Sequence, residues 1–136
     1  MSLLFVYGTL RRGFPHRMAE FLQKNAKFIG QGFAMGRLYD MGSYPAMIKT
    51  YNPDEQICGD VFDISLNQEE ILKFLDQYEG ISYPPDKENL FIRELVKIQC
   101  KGSTFDAYAY IYPGRLDDEV LITSGDYMEY SGIKNN

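Results

Sequence analysis

The segment Tyr7-Gly8-Thr9-Leu10 directly follows an apolar run and has the composition of a tight turn. Glycine lets the backbone approach a ligand closely, and consecutive N–H groups in such a turn can bind a carboxylate or a phosphate. We therefore predict that these four residues form a substrate-binding loop. The segment lacks the further glycines of a P-loop or a dinucleotide fingerprint, so phosphate specificity is not indicated. The alternative interpretation is a strand-to-helix turn in which the glycine supplies a positive φ.

Glu79 is the candidate general acid/base. It stands in the last turn of a predicted helix, where the negative end of the helix dipole disfavours a carboxylate by about 0.3–1 kcal/mol. It also follows Tyr78 on the predicted apolar stripe, so we expect it to be partly buried. Both effects raise the pKa of a carboxyl group towards the range that suits proton transfer. The alternative interpretation is a solvated glutamate on a helix that has other acidic residues.

The single histidine and the two cysteines are predicted to have structural rather than catalytic roles. His16 stands near a predicted helix start and is interpreted as a surface or capping residue. Cys58 and Cys100 lack the close spacing of a zinc site and are interpreted as reduced packing residues. A disulfide between them remains open if their strands are neighbours.

Three alternating tyrosines, Tyr108, Tyr110 and Tyr112, share one face of a predicted strand and are interpreted as packing residues. No group of acidic residues or histidines has the spacing of metal ligands, so no metal site is predicted. Without a histidine near a serine or cysteine, a nucleophilic triad is not indicated.

The composition is that of one ordinary globular domain over residues 1–136, with 45% apolar and 24% charged residues. The net charge is −5, with 19 acidic and 14 basic residues, which disfavours nucleic acid and membrane surfaces as partners. Arg11 and Arg12 are adjacent, and we expect them to add positive potential near the loop. The short apolar stretch near residue 3 is neither a signal peptide nor a membrane span, so a cytoplasmic location is expected.

Hydrophobic periodicity predicts two helices. The first begins after Pro15. The second begins at Ser65 or at Asn67, either of which can act as its N-cap, and ends before Gly80 at the C′ position. The predicted buried stripe of the second helix consists of Ile71, Phe74, Leu75 and Tyr78.

Strands are predicted over residues 3–7, 27–40, 91–100 and 104–112, with a hairpin over residues 46–64. The strand glycines indicate strong curvature. The predicted fold class is therefore α+β, with a small mixed, largely antiparallel β-barrel-like sheet and flanking helices.

Six motifs occur in order along nearly the whole chain. They are Phe5–Gly13, Gly36–Ala46, Gly59–Phe62, Leu75–Gly80, Ala109–Tyr112 and Ser124–Tyr127. In this order the motifs resemble the gamma-glutamylcyclotransferase-like family, and most closely its gamma-glutamylamine cyclotransferase branch.

The resemblance implies a barrel with a cavity whose mouth is lined by Tyr7, Gly8, Thr9 and Leu10, with Glu79 as general acid/base. It implies a small-molecule gamma-glutamyl substrate that is converted to 5-oxoproline and a free amine or amino acid, without a cofactor. The chain departs from many relatives in having Phe91 where a tyrosine is common. The polar insert of residues 82–89 is interpreted as a lid that changes substrate choice.

Two other functions fit the same residues. The cavity can belong to a non-catalytic binding module for a small carboxylated metabolite, or to a hydrolase of gamma-glutamyl amides that does not cyclise its substrate. The sequence leaves the leaving amine and the oligomeric state open.

Overall fold

The computed structural model describes residues 1–80 and 90–132, and a closed β-sheet forms its centre. The strands are β1 (Leu3–Val6), β2 (Lys27–Asp40), β3 (Pro45–Lys49), β4 (Gln56–Asp63), β5 (Ile92–Cys100), β6 (Ser103–Ile111) and β7 (Val120–Leu121). The helices are α1 (Arg17–Asn25), α2 (Gln68–Tyr78) and α3 (Tyr127–Ser131). The predicted lid over residues 82–89 lies outside the described residues.

The sheet closes because β2 pairs with two strands of the barrel. The ring runs β2, β4, β1, β6, β5, and a second pairing of β2 with β5 completes it. The pair β1–β6 is parallel, whereas β1–β4, β2–β4, β2–β5 and β5–β6 are antiparallel. This confirms the prediction of an α+β fold with a small, mixed, largely antiparallel barrel-like sheet.

The predicted hairpin over residues 46–64 is wrong. Its two strands exist as β3 and β4, but β2 lies between them in the sheet. The 14 residues of β2 are long enough to pair with β4 along residues 27–35 and with β3 along residues 36–40. The closeness of β3 and β4 in the sequence suggested that they pair with each other, but each of them pairs with β2 instead.

Successive residues of β1 belong to two different cores. Leu3 and Phe5, like Tyr7 directly after the strand, pack with apolar residues of the other barrel strands, whereas Leu4 and Val6 pack with residues of α1 and α2. This alternation is expected of a strand that is covered on both faces. It places the start of the Tyr7–Leu10 segment at the junction of the barrel and the helices.

Gly59 of β4 lies against β1 at the point where β1 ends. A Cβ atom at this position would lie 2.5 Å from the carbonyl oxygen of Val6 and 2.7 Å from the Phe5 ring. Only glycine permits this approach. The close contact between β1 and β4 fixes the direction in which the chain leaves β1.

The buried face of α2 differs from the predicted stripe. Ile71 and Leu75 are buried as expected, but Leu72 and Asp76 complete the face, while Phe74 and Tyr78 are exposed. Phe74 instead stacks on Phe21 of α1, with ring centroids 4.6 Å apart. Residues 72, 75, 76 and 79 share a helical spacing of i, i+3, i+4 and i+7. Glu79, which is half-buried, therefore lies on the same face of the helix.

The predicted start of α1 is confirmed, and of the two predicted N-cap positions of α2 the structure has Asn67. His16 is the N-cap of α1, because its Nδ1 accepts a hydrogen bond from the Met18 N–H. Asn67 occupies the N-cap position of α2 but makes no side-chain cap, and the Ser65 hydroxyl donates to Asp63 instead. Gly80 adopts the left-handed conformation expected after the helix, with φ +73°.

Cys58 and Cys100 are free and buried, as predicted for packing residues. Their strands, β4 and β5, each pair with β2, which lies between them. In the described residues, none of the helices combines the length and the apolar character needed to span a membrane.

Candidate active site

A cavity of about 290 Å³ opens where the chain leaves β1. All four residues of the predicted loop, Tyr7, Gly8, Thr9 and Leu10, contribute to its wall, and so does Glu79. The two elements that the sequence predicts to act together thus face one space, although about 70 residues separate them in the chain. The buried face of α2 brings Glu79 to this position.

Within the part of the chain that the structure describes, the Tyr7–Leu10 loop has unpaired backbone donors at the cavity wall. The Arg11 N–H donates to the Gly8 carbonyl at 3.0 Å and closes a turn. In residues 1–80 and 90–132, the N–H groups of Gly8, Thr9 and Leu10 donate to no protein acceptor. A row of such donors at a cavity wall is suited to an anionic group.

Gly8 is required for a close contact rather than for a positive φ. A Cβ atom at this position would lie 2.6 Å from Cγ of Pro45, which lines the same cavity. Gly8 is absent from the residues with positive φ. The strand-to-helix turn that depends on a left-handed glycine is therefore the wrong interpretation of this position.

A buried ion-pair network holds the far side of the loop. Arg11 is 1% exposed and donates to Asp126 at 2.8 Å, and its second terminal nitrogen lies 3.5 Å from Asp60. Asp60 is itself fully buried and accepts the Arg12 N–H at 2.7 Å. Asp60 therefore ties the end of the loop to β4 through both backbone and side chain.

Arg11 adds little of the positive potential that was predicted near the loop. The Arg11 charge is offset by the carboxylates of Asp60 and Asp126. The Arg12 guanidinium lies over the Phe28 ring, 3.9 Å from its centroid. Neither residue lines the cavity. The adjacency of two arginines in the sequence did not reveal that one of them points into the protein.

Glu79 has an acid–base character that fits proton transfer. Burial and, to a smaller extent, the nearby charge of Asp76 raise its pKa from 4.5 to about 7. Near neutral pH the protonated and ionised forms are then both well populated, which is the condition for a group that both accepts and donates a proton. The position of Glu79 at the end of an apolar helix stripe predicts the direction of this shift and its burial component, but not the contribution of Asp76.

Asp76 is fixed by residues of the opposite strands. It accepts a hydrogen bond from the Tyr110 hydroxyl at 2.6 Å and forms an ion pair with Arg93. Tyr110 lines the cavity, and its pKa is raised by burial and by its hydrogen bond to Asp76. These roles were missed, because tyrosines at alternate positions of a strand indicate packing. The spacing of Asp76, three residues before Glu79, was the available signal.

The Tyr7 side chain has a structural role. Its hydroxyl donates to the Tyr110 carbonyl at 2.6 Å and accepts the Met47 N–H at 3.3 Å, so it joins β6 and β3. Burial raises its pKa, and the charge of Glu79 raises it further. Both contributions keep the phenol neutral and a hydrogen-bond donor. Tyr7 and Glu79 line the same cavity.

The outer wall of the cavity is aromatic and apolar. Tyr44 and Phe91 pack edge to face, with ring centroids 6.0 Å apart, and Leu90 lies beside them in the wall. Phe91 is thus a lining residue. Its ring adds apolar surface without a hydroxyl.

The geometry combines three chemical capabilities in one cavity. The loop amides can hold an anion, Glu79 can exchange a proton, and the aromatic wall can exclude water from the remaining part of a ligand. This combination suits an acid–base reaction on a small carboxylated molecule.

Two curated proteins resemble the chain over nearly its full length. A Methanocaldococcus jannaschii protein that bears the name of a gamma-glutamylcyclotransferase is 32% identical over 133 residues, which are 97% of this chain and 100% of that protein. The gamma-L-glutamyl-butirosin B gamma-glutamyl cyclotransferase of Niallia circulans is 29% identical over 131 residues, which are 96% of this chain and 78% of that protein.

Solved structures share the fold. An AIG2-like protein from Mus musculus matches with a TM-score of 0.72 at 22% identity, over 100% of this chain and 95% of that chain. YkqA from Bacillus subtilis matches with a TM-score of 0.69 at 25% identity, over 98% of this chain, which spans 43% of the length of YkqA.

The family model described as "Gamma-glutamyl cyclotransferase, AIG2-like" matches residues 4–129. This range includes the Tyr7–Leu10 loop, Glu79 and, apart from Leu3, all the strands of the barrel that the structure describes. The chain therefore belongs to the gamma-glutamyl cyclotransferase, AIG2-like family.

Proposed function

We propose that this protein is a gamma-glutamyl cyclotransferase that converts a small gamma-glutamyl compound to 5-oxoproline and a free amine or amino acid. The observation that carries the proposal is the placement of Glu79, with a pKa of about 7, in the same cavity as the amides of the Tyr7–Leu10 loop. Family membership and the name of the Niallia circulans relative support the same reaction.

The substrate α-carboxylate binds to the N–H groups of Gly8, Thr9 and Leu10. Among the described residues that line the cavity there is no lysine or arginine, so an anion there is held by neutral donors, and the loop amides are suited to this role. Held in this way, the glutamyl part folds its α-amine towards its own γ-carbonyl. The leaving group extends towards Tyr44 and Phe91.

The reaction needs one residue that moves protons. Ionised Glu79 takes a proton from the α-ammonium, and the resulting amine attacks the γ-carbonyl carbon to form the new C–N bond. Protonated Glu79 then gives its proton to the leaving nitrogen as the old C–N bond breaks. The ring nitrogen finally loses its extra proton through Glu79 to solvent. The products are 5-oxoproline, whose ring amide is neutral, and the free amine.

Intramolecular attack explains how a small site is sufficient. Nucleophile and electrophile belong to the same molecule, so the protein has to hold one conformation rather than bring two molecules together. Orientation of this kind supplies up to about 7–11 kcal/mol of barrier reduction. Because the nucleophile comes from the substrate, the proposed reaction uses no metal or organic cofactor.

The test is release of 5-oxoproline from a panel of gamma-glutamyl amides by the wild-type protein and by Glu79→Gln. The variant keeps size and hydrogen-bonding shape but loses the base, and we expect its kcat to fall by at least about 100-fold. Glu70→Gln removes an exposed carboxylate of the same helix and should leave kcat unchanged. Equal activity of Glu79→Gln and wild type would refute the role of Glu79.

Two controls separate the proposal from its alternatives. A substrate with an acetylated α-amine cannot cyclise, so release of amine from it would identify a hydrolase instead. Tight binding of 5-oxoproline without turnover of any gamma-glutamyl amide would identify a binding module. Retention of activity after dialysis against a chelator tests the absence of a metal requirement.

A further inference from the structure

His16 contacts both the backbone of its own helix and a tyrosine at the cavity. Its Nδ1 accepts the Met18 N–H at 3.0 Å, and its Nε2 lies 3.0 Å from the Tyr78 hydroxyl oxygen. The two rings pack edge to face, with centroids 5.3 Å apart. Tyr78 lines the cavity and directly precedes Glu79. A capping residue of α1 is thereby connected to the last turn of α2.

The cap of α1 decides which way these hydrogen bonds run. A backbone N–H can only donate, so Nδ1 must be the unprotonated nitrogen of the ring. In the neutral imidazole the hydrogen is then on Nε2. Nε2 therefore donates to the Tyr78 oxygen, and the hydrogen of the Tyr78 hydroxyl remains available to another acceptor.

That hydrogen has a weak partner within the described residues. The Thr9 hydroxyl oxygen lies 3.5 Å from the Tyr78 oxygen, at the outer limit of a hydrogen bond. Tyr78 is 38% exposed and its hydroxyl stands beside the Thr9 part of the loop. A stronger acceptor placed at the loop, such as a carboxylate, would take this hydrogen bond instead.

We propose that Tyr78 is a substrate-binding residue whose hydroxyl donates to the substrate α-carboxylate at the Gly8–Leu10 amides, and that His16 is a positioning residue that orients this hydroxyl. The inference rests on the proposed function, because it assigns the carboxylate to the same loop. It adds a side-chain donor to a site that otherwise offers backbone donors to the anion. It also explains why a helix cap is a histidine, since the smaller cap residues lack a second nitrogen to reach Tyr78.

The first test compares an acid with its neutral analogue as inhibitors of Tyr78→Phe. Loss of a hydrogen bond to a charged group should weaken inhibition by 5-oxoproline about tenfold or more. Inhibition by 5-oxoprolinamide, which has no carboxylate, should change less than about twofold. KM for the gamma-glutamyl substrate should rise while kcat changes little. Equal weakening for both inhibitors, or for neither, would overturn the assignment of the carboxylate to Tyr78.

Tyr130→Phe is the matched control for removal of a hydroxyl. Tyr130 is 45% exposed and donates to Asp40 at 2.6 Å, and neither residue lines the cavity. Both inhibitors should inhibit this variant as they inhibit wild type, and the variant should turn over the gamma-glutamyl substrate as wild type does. A comparable loss in Tyr130→Phe would assign the effect of Tyr78→Phe to general destabilisation.

The second test isolates the role of His16. Asparagine is a good N-cap but cannot reach Tyr78, so His16→Asn retains the helix start and removes the Nε2 contact. We expect KM to rise about threefold in His16→Asn, and no further rise when the same change is made in Tyr78→Phe. Equal effects of His16→Asn in both backgrounds would show that His16 does not act through Tyr78.

The two proposals fail in distinguishable ways. If the wild-type protein releases no 5-oxoproline from any substrate, the proposed reaction is wrong. If it releases 5-oxoproline with Glu79 required, but Tyr78→Phe discriminates between the acid and the amide as strongly as wild type does, only the role assigned to Tyr78 is wrong.

Discussion

Asp76 and Glu79 stand one helical turn apart at the end of α2, and the charge of Asp76 raises the pKa of Glu79. Asp76 is held in place by the Tyr110 hydroxyl and by Arg93, which come from β6 and β5. The barrel therefore fixes a second carboxylate next to the proposed acid/base. A like charge favours the protonated form of its neighbour, as burial does.

Removal of the Asp76 charge should move the pH dependence of the reaction. In Asp76→Asn the asparagine retains an acceptor for Tyr110 but no longer repels a negative charge, so the pKa of Glu79 falls below about 7. The rising limb of kcat/KM against pH should shift to lower pH, because this profile reports the ionisation of the free enzyme. Glu70→Gln, on the exposed side of the same helix, should leave the limb in place. An unshifted limb in Asp76→Asn would contradict the electrostatic role.

Glu79→Gln should stabilise the protein at alkaline pH while it removes activity. The folded-state pKa of about 7 is above the ordinary value of 4.5, so between these values the folded protein binds a proton that the unfolded chain releases. Stability therefore falls as pH rises through this interval, and the full cost is present above pH 7. The variant avoids this cost, and its free energy of unfolding at pH 8 should exceed that of wild type by up to roughly 3 kcal/mol.

The measurement is denaturant unfolding of wild type and Glu79→Gln at pH 4 and at pH 8. At pH 4 the Glu79 carboxyl is mostly neutral in both the folded and the unfolded wild type, so the two free energies of unfolding should differ far less than at pH 8. A difference of equal size at both pH values would assign the gain to packing rather than to ionisation.

Gly8→Ala should displace the loop. The added methyl group would stand 2.6 Å from Pro45, and both residues line the cavity, so either the loop or β3 must shift. A displacement of about 1 Å at a positioning element can reduce turnover about 100-fold. The matched control is Gly30→Ala, whose nearest neighbour is the flexible end of Lys101 at 3.2 Å. We expect kcat/KM to fall in the first variant and not in the second.

The bounds of individual strands could be predicted from the sequence more completely than which strands pair in the sheet. β2 was predicted to its ends, Lys27 and Asp40, because its alternation and flanking residues are local signals. That β2 separates β3 from β4 depends on how the barrel closes, which periodicity does not encode. The predicted fold class was nevertheless confirmed through strand number and curvature.

The candidate site shows the same division. Residues of the Tyr7–Leu10 loop and Glu79 stand out by type and local context, and the structure brings them to one cavity. Asp76 does not stand out, because it is a polar residue outside the predicted apolar stripe of α2. Tyr110 does not stand out, because a tyrosine in a strand usually has a packing role. Their contact joins α2 to β6, and only the folded chain contains that information.

The ion pair of Arg11 and Asp60 positions the loop at a cost in stability. Burial raises the pKa of Asp60 despite the opposing effect of Arg11, so the carboxylate is less favourable in the fold than in water. Charged pairs of this kind contribute little net stability, but removal of one partner leaves a buried charge uncompensated. The structural benefit is the hydrogen bond from the Arg12 N–H to Asp60, which fixes the end of the loop.

Asp60→Ala should therefore reduce both stability and activity. The free energy of unfolding is expected to fall by about 3–5 kcal/mol, because Arg11 loses one of its two carboxylate partners and the Arg12 N–H loses its acceptor. Asp106→Ala breaks an exposed pair with Lys97 and should cost no more than about 1 kcal/mol. Asp60→Asn, which retains an acceptor for the Arg12 N–H, should keep more activity than Asp60→Ala when both are assayed well below their unfolding temperatures. Equal kcat/KM in wild type and Asp60→Ala under those conditions would show that the network serves stability and does not position the loop.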